Sequence, residues 1–167
     1  HSADKSGSVG YRGNLTVDIT GGSFESAENV PSVYVAKKIG ADTGLSATSE
    51  NVAEEFVSGG TFSSDVHAYV QPGMKQDGDK IVIDTGTAVA KIGSVGYTTL
   101  DSAIGAAQDG DTITLLKEIT DQALIELGAG KVVTIDLNGF DIGFAENSFF
   151  KVNGGKLQLT GSGKVYE

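Results

Sequence analysis

Apolar and polar residues alternate in three short stretches of the C-terminal half: TITLL at 112–116, TIDLN at 134–138 and KLQLT at 156–160. A strand with one dry and one wet face has this pattern, because successive side chains point to opposite sides of the backbone. The stretches begin 22 residues apart, so Ile113, Ile135 and Leu157 fall into one column and Leu115, Leu137 and Leu159 into a second. A third column, Ile119, Ile142 and Val165, recurs every 23 residues, so its distance from the preceding column grows from four to five to six. One strand signal per repeat of this length is too short for a βαβ unit. It predicts strands stacked in successive coils about 4.8 Å apart.

Ahead of the array, in YTTLDSAIGAAQDGD, Leu100, Ala103, Ile104 and Ala107 lie on one helical face. Thr98 is the expected N-cap, Asp101 takes the capping-box position three residues on, and Gly110 is the expected left-handed stop. A helix of about ten residues is marginal alone. It is expected to cap the open end of the first coil, covering apolar side chains and unpaired strand edges.

The N-terminal half carries ITGGSF at 19–24 and VSGGTF at 57–62, offset by 38, with a fainter echo in VNGGKL at 152–157. The alternating LTVDI at 15–19 is read as a strand that turns a corner at Gly21–Gly22 and resumes at Phe24, and the offset as more than one coil. VYVAKKI at 33–39 reads as a strand, and SENVAEEFV at 49–57 as a strand at its end with loop or helix before it. SDVHAYV at 64–70 reads as a short helical turn capped by Ser64, with Val66, Tyr69 and Val70 inward. DTGTAVAKIGSVG at 84–96 is weakly periodic and is expected to be a linker or crossover; its GSVGY repeats that at 7–11.

Composition sharpens this reading. With 24 glycines against 2 prolines, the chain calls for many tight turns rather than a proline-rich linker. A net charge of −10 and the lack of a basic stripe argue against nucleic acid and anionic membranes as partners. The chain has no cysteine, so disulfide and thiolate-metal chemistry do not arise. No apolar run approaches the roughly 20 residues that cross a bilayer. The opening HSADKSGSVG lacks the features of a secretion signal, which is expected to have been removed or to lie outside these residues.

Candidate chemistry is sparse. Of the two histidines, His1 is read as a possible cloning remnant, and His67 as a surface residue with no triad around it. Asp77-Gly-Asp79 and Asp109-Gly-Asp111 have the oxygen spacing that calcium favours, but neither continues into a calcium loop, and Asp109-Gly-Asp111 is expected to turn helix into strand. The outward positions of the coils, Thr112, Thr114, Thr134, Asp136, Lys156 and Gln158, hold one carboxylate, whereas glycoside hydrolysis needs two across a groove. Tryptophan is absent, leaving Tyr11, Tyr34, Tyr69, Tyr97 and Tyr166 as candidate sugar platforms, with packing at module ends favoured for Tyr69 and Tyr97. No catalytic, cofactor or metal residue is assigned, and no cofactor is expected.

GYTTLDSAIGAAQDGDTITLLKEIT, VTIDLNGFDI, FKVNGGKLQLTGSGKV and VSGGTFSSDVHAYV together resemble right-handed parallel β-helix modules in large surface proteins of Gram-positive gut bacteria. The resemblance spans nearly the whole chain except about 25–55. It implies a pectate-lyase-like superfold without catalysis: all-β with one short capping helix, a right-handed parallel β-helix or β-solenoid fragment. In such modules the helix cap comes first and the GGTFS-D-V-x-x-Y-V segment last, the reverse of the order here. Residues 1–92 are accordingly expected to close one module and 93–167 to cap and begin the next. The implied role is a structural or adhesive module, extracellular or at the cell surface, meeting a host or bacterial glycan or protein and self-associating through open solenoid ends. The alternatives are a glycan-binding β-helix module and a fragment of a polysaccharide lyase or glycoside hydrolase.

Overall fold

A computed structural model describes residues 17–33 and 55–167. Residues 34–39 of the strand expected at 33–39, all but the last three residues of 49–57, His1, Tyr11 and Tyr34 lie outside the described residues. Within them the chain is all-β with one short helix, as the patterning requires. The strands are β1 (Ile19–Phe24), β2 (Val57–Phe62), β3 (Met74–Asp77), β4 (Lys80–Ile83), β5 (Ala90–Ile92), β6 (Val95–Tyr97), β7 (Thr112–Leu115), β8 (Ile119–Gln122), β9 (Ile125–Leu127), β10 (Val132–Asp136), β11 (Ile142–Phe144), β12 (Phe150–Val152), β13 (Lys156–Thr160) and β14 (Val165–Tyr166). The helix, α1, spans Leu100–Ala106.

The C-terminal strands form three parallel ladders, β7-β10-β13, β8-β11-β14 and β9-β12, in separate sheets, none of which closes on itself among the described residues. Ile135 pairs with Ile113, a step of 22 (135 − 113), as the alternation predicts. The next step is 24: Leu157 pairs with Val133 and Leu159 with Ile135. The expected columns are thereby corrected, since Leu159, not Leu157, stands on Ile135. A shift of two leaves every side chain on its own face, so alternation alone cannot distinguish the two registers. Ile142 pairs with both Ile119 and Val165, which keeps the 23-residue column. Measured from paired residues, the steps Ile113–Ile119, Ile135–Ile142 and Leu159–Val165 span six, seven and six residues, so the turns do not lengthen progressively. The third ladder, Phe150 on Ile125 and Val152 on Leu127, lies in three-residue strands too short to show a period.

Helix α1 is seven residues long, and its N-cap is Thr99, not Thr98. Thr99 Oγ1 accepts from the Ser102 amide at 3.0 Å, and Ser102 Oγ donates back to the Thr99 carbonyl at 2.8 Å, so Ser102 occupies the position three residues on. The helix ends at Ala106, ahead of Gly110; Gly110 has a positive φ of 88°, and its amide reaches the Val132 carbonyl at 2.7 Å. Leu100, Ala103 and Ile104 enter the same core as Ile113, Leu115, Ile125 and Leu127. The free edge of β7, however, is covered by β5, which pairs antiparallel through Ala90–Leu115 and Ile92–Ile113. Residues 84–96 are therefore no mere linker: most of them build the β5–β6 hairpin, turning at Gly93 with φ 56°.

In the N-terminal half β1 lies directly on β2, with Ser23 on Thr61 and Phe24 on Phe62, so the 38-residue offset separates neighbouring strands. Each GG pair is an irregularity inside a continuous strand rather than a corner that ends one. Gly22 and Gly60 have φ of 103° and 111°, and a Cβ on Gly59 would collide with the Thr20 carbonyl, so two backbones approach where no side chain fits. Antiparallel β4 and β3 follow β2 in the sheet. The turn at 64–70 contains a 3-10 helix at His67–Tyr69. Val66 is buried and Tyr69 and Val70 are half-buried. Ser64 does not cap it: Asp65 Oδ1 accepts from the His67 amide at 2.9 Å and Gln76 Oε1 from the Val66 amide at 2.8 Å.

Two apolar cores result. One gathers Phe56, Val57, Phe62, Val66, Met74 and Ile81, and the other runs from Ala90 to Phe144. They meet where Gly73 and Gly96 face each other, and the Gly96 amide donates to Met74 Sδ at 3.0 Å.

Candidate functional site

Backbone amides already engage most of the carboxylates that the sequence brings forward. Asp109 Oδ1 accepts from the Val132 amide at 2.8 Å, and Asp111 Oδ2 from the Gln108 amide at 2.7 Å. Asp109 thus ties the helix-to-strand loop to the start of β10, while Asp111 closes the loop on itself. Asp77-Gly-Asp79 is the β3–β4 hairpin: Asp77 pairs with Lys80 across a two-residue loop, and Gly78 supplies φ 61°. Asp136 Oδ1 accepts from the Asn138 amide at 3.0 Å. No group of three or more His, Asp or Glu side chains converges on one point among the described residues.

The polar face of the ladder is rearranged by the two-residue shift. Thr112, Thr134 and Gln158 form one outward column, Thr114, Asp136 and Thr160 another, and Lys156 stands beside Val132. Asp136 is the one carboxylate in these columns. His67 is exposed, as expected, on a shallow cleft with Asp65, Gln76 and Asp79.

The tyrosines occupy different settings. Tyr69 is half-buried with its ring 5.2 Å from Phe56, a packing role. Tyr97 is half-buried against the C-terminal core, and burial, followed by the negative charges of Asp111 and Asp18, pushes its hydroxyl above the usual value. Tyr166 is 43% exposed and lies over Gly143, where any Cβ would meet its ring at about 3.0 Å.

Side-chain amides and one acid carry roles that sequence reading missed. Asn138 Nδ2 donates to the Leu115 carbonyl at 3.0 Å, tying the turn after β10 to the end of β7, while its backbone sits at φ 49°. The Asn-Gly dipeptide after an alternating strand was the available signal. Gln122, almost fully buried, donates to Asp101 Oδ2 at 2.8 Å and to the Ala123 carbonyl at 3.1 Å, with no sequence signal beforehand. Asp84 accepts from Thr87 Oγ1 at 2.7 Å and from the Gly86 amide at 3.1 Å. Those hydrogen bonds, aided by Lys75 and Lys117, hold its carboxyl below the ordinary value against a smaller opposing effect of desolvation.

Apolar side chains are exposed on the outermost strands, as they are at Val30, Leu124 and Phe149 in the loops. Along the first ladder Ile113 and Ile135 are fully buried, but Leu159 above them is 43% exposed; along the third, Leu127 is 3% exposed and Val152 above it 42%. No family model, curated protein or solved structure matches the chain.

Proposed function

We propose that the chain is a structural and adhesive module of a secreted or cell-wall-attached bacterial surface protein, acting without catalysis, in which the three ladders wind as a right-handed parallel β-helix. The register carries the reading: Ile135 stands on Ile113 and Ile142 on Ile119, with the turns between ladders exposed. Such stacking extends a stiff rod by one strand spacing, about 4.8 Å, per coil and leaves its outer turns available for contact with a glycan or protein. The two cores accord with a closing segment before β5 and a new module from β5 onward.

Beads coated with the chain are expected to be retained on a mucin or bacterial polysaccharide layer without shortening the polymer. Release of reducing ends or unsaturated uronates by the purified chain would make it a carbohydrate-active enzyme instead. The exposed ring of Tyr166 favours one second reading, a glycan-binding module. It requires micromolar sugar binding that Tyr166→Ala abolishes.

A further inference from the structure

We infer that the β13 edge is a docking surface for β1 of a second copy of this chain, joining molecules head to tail by parallel strand addition. This goes beyond the adhesive role and rests on the ladders alone.

The β13 edge is chemically specific. The Lys156 amide donates to the Lys131 carbonyl and the Thr160 carbonyl accepts from the Leu137 amide, so both residues turn their backbone groups toward β10. Groups alternate along a parallel strand, so those of Leu157 and Leu159 point to the opposite, outer edge, where no strand pairs among the described residues. The core columns also end wet there, at Leu159 and Val152. A further coil would cover both.

Strand β1 offers the matching surface. It pairs with β2 on one side and with no strand on the other among the described residues. Ile19 and Phe24, half-buried above Val57 and Phe62, are the apolar side chains of this strand. Charge selects this pairing over like with like. Residues 17–30 carry Asp18, Glu25 and Glu28 and no basic residue, a net −3, whereas 149–167 carry Lys151, Lys156 and Lys164 against Glu167, a net +2 in a chain of −10. Two β1 ends repel and two β13 ends repel, but the unlike ends attract. Such a contact is heterologous and does not close on itself, so it propagates.

Light scattering across a concentration series is the test. The mass average is expected to rise from 17.1 kDa toward twice that value and beyond, and to fall back as salt is added. Leu159→Pro removes an outward-facing amide that no strand of the same chain uses, and it should hold the protein at monomer mass. Should that variant misfold, charge reversal decides. Lys156→Glu with Lys164→Glu, and separately Asp18→Lys with Glu25→Lys, should each weaken association, and mixing the two proteins should restore it. A strict monomer at every concentration, or association unchanged in the folded edge and charge variants, would overturn the inference.

Discussion

The two halves treat a parallel ladder differently. In the C-terminal half each strand receives a parallel neighbour of its own kind, from β7 through β10 to β13. In the N-terminal half the parallel pair β1–β2 is followed by β4 and β3, which run antiparallel. The start of the C-terminal ladder is treated likewise, because β5 lies antiparallel on β7. Antiparallel hairpins therefore bracket the seam between the two cores. An antiparallel strand brings its partner by a short turn and occupies the edge that a parallel coil would otherwise extend. The halves also differ at their irregularities: paired glycines under stacked Phe24 and Phe62, with centroids 4.9 Å apart, against Asp136 and Asn138 bonded across the turn.

The largest effect should come from breaking one column. Ile135→Asp places an unpaired charge at a fully buried site, a cost on the order of the entire stability of a small domain, about 5 kcal/mol or more. Hydrogen exchange should then show residues 112–167 unprotected while β2 to β4 stay protected. Equal loss in both halves would mean that the two cores fold as one.

The seam is next. A Cβ on Gly96 would strike the Gly73 carbonyl and also meet Ile83 at 3.0 Å, so Gly96→Ala should cost about 1–3 kcal/mol and uncouple the melting of the two cores. A single unchanged transition would show that the cores do not communicate through these glycines.

What the sequence made legible follows from which physical signals are local. Ile113, Ile135, Ile119, Ile142 and Val165 were readable because a dry column needs an apolar residue at each step. The shift in β13 was not, since KLQLT fits β10 equally well two residues along. The β3–β4 hairpin had a signal, Asp-Gly between short strands, but the chemistry of its carboxylates drew the reading elsewhere. The β5–β6 hairpin had almost none: its three-residue strands are defined by the Gly73–Gly96 contact and by β7, which no local pattern encodes. The candidate site was less legible still. The roles of Asn138, Gln122 and Asp84 are hydrogen bonds made by folding, and the uncovered Leu159 could be recognised only once its register was known.

Smaller effects sharpen the contrast at the turns. Asn138→Ala loses both the bond to Leu115 and a residue suited to left-handed backbone, and calorimetry should find a loss of about 1–2 kcal/mol; Asn138→Gly should recover the backbone part only. The smallest effects are set by pH. The carboxyl of Asp84 lies below its ordinary 3.8 when folded, so its contribution is present above that value and is lost as pH falls through the lower folded one. The hydroxyl of Tyr97 lies above its ordinary 10.0, so its contribution is present below that value and is lost as pH rises through the higher folded one. Asp84→Asn should flatten the acid edge of a melting-temperature profile and Tyr97→Phe the alkaline edge.

The stacking register can be measured directly, because the chain has no cysteine of its own. Three double variants suffice, each with cysteine at Thr134 and a second cysteine at Thr112, Gln158 or Lys156. Partners on adjacent strands lie within the roughly 4.4–6.8 Å that a disulfide spans between Cα atoms, whereas a pair two residues out of register exceeds it. Pairing of Thr134 with Thr112 and with Gln158 predicts rapid oxidation of those two variants and little of the third. Preferential closure of the Thr134–Lys156 variant would contradict the stacking on which this account depends.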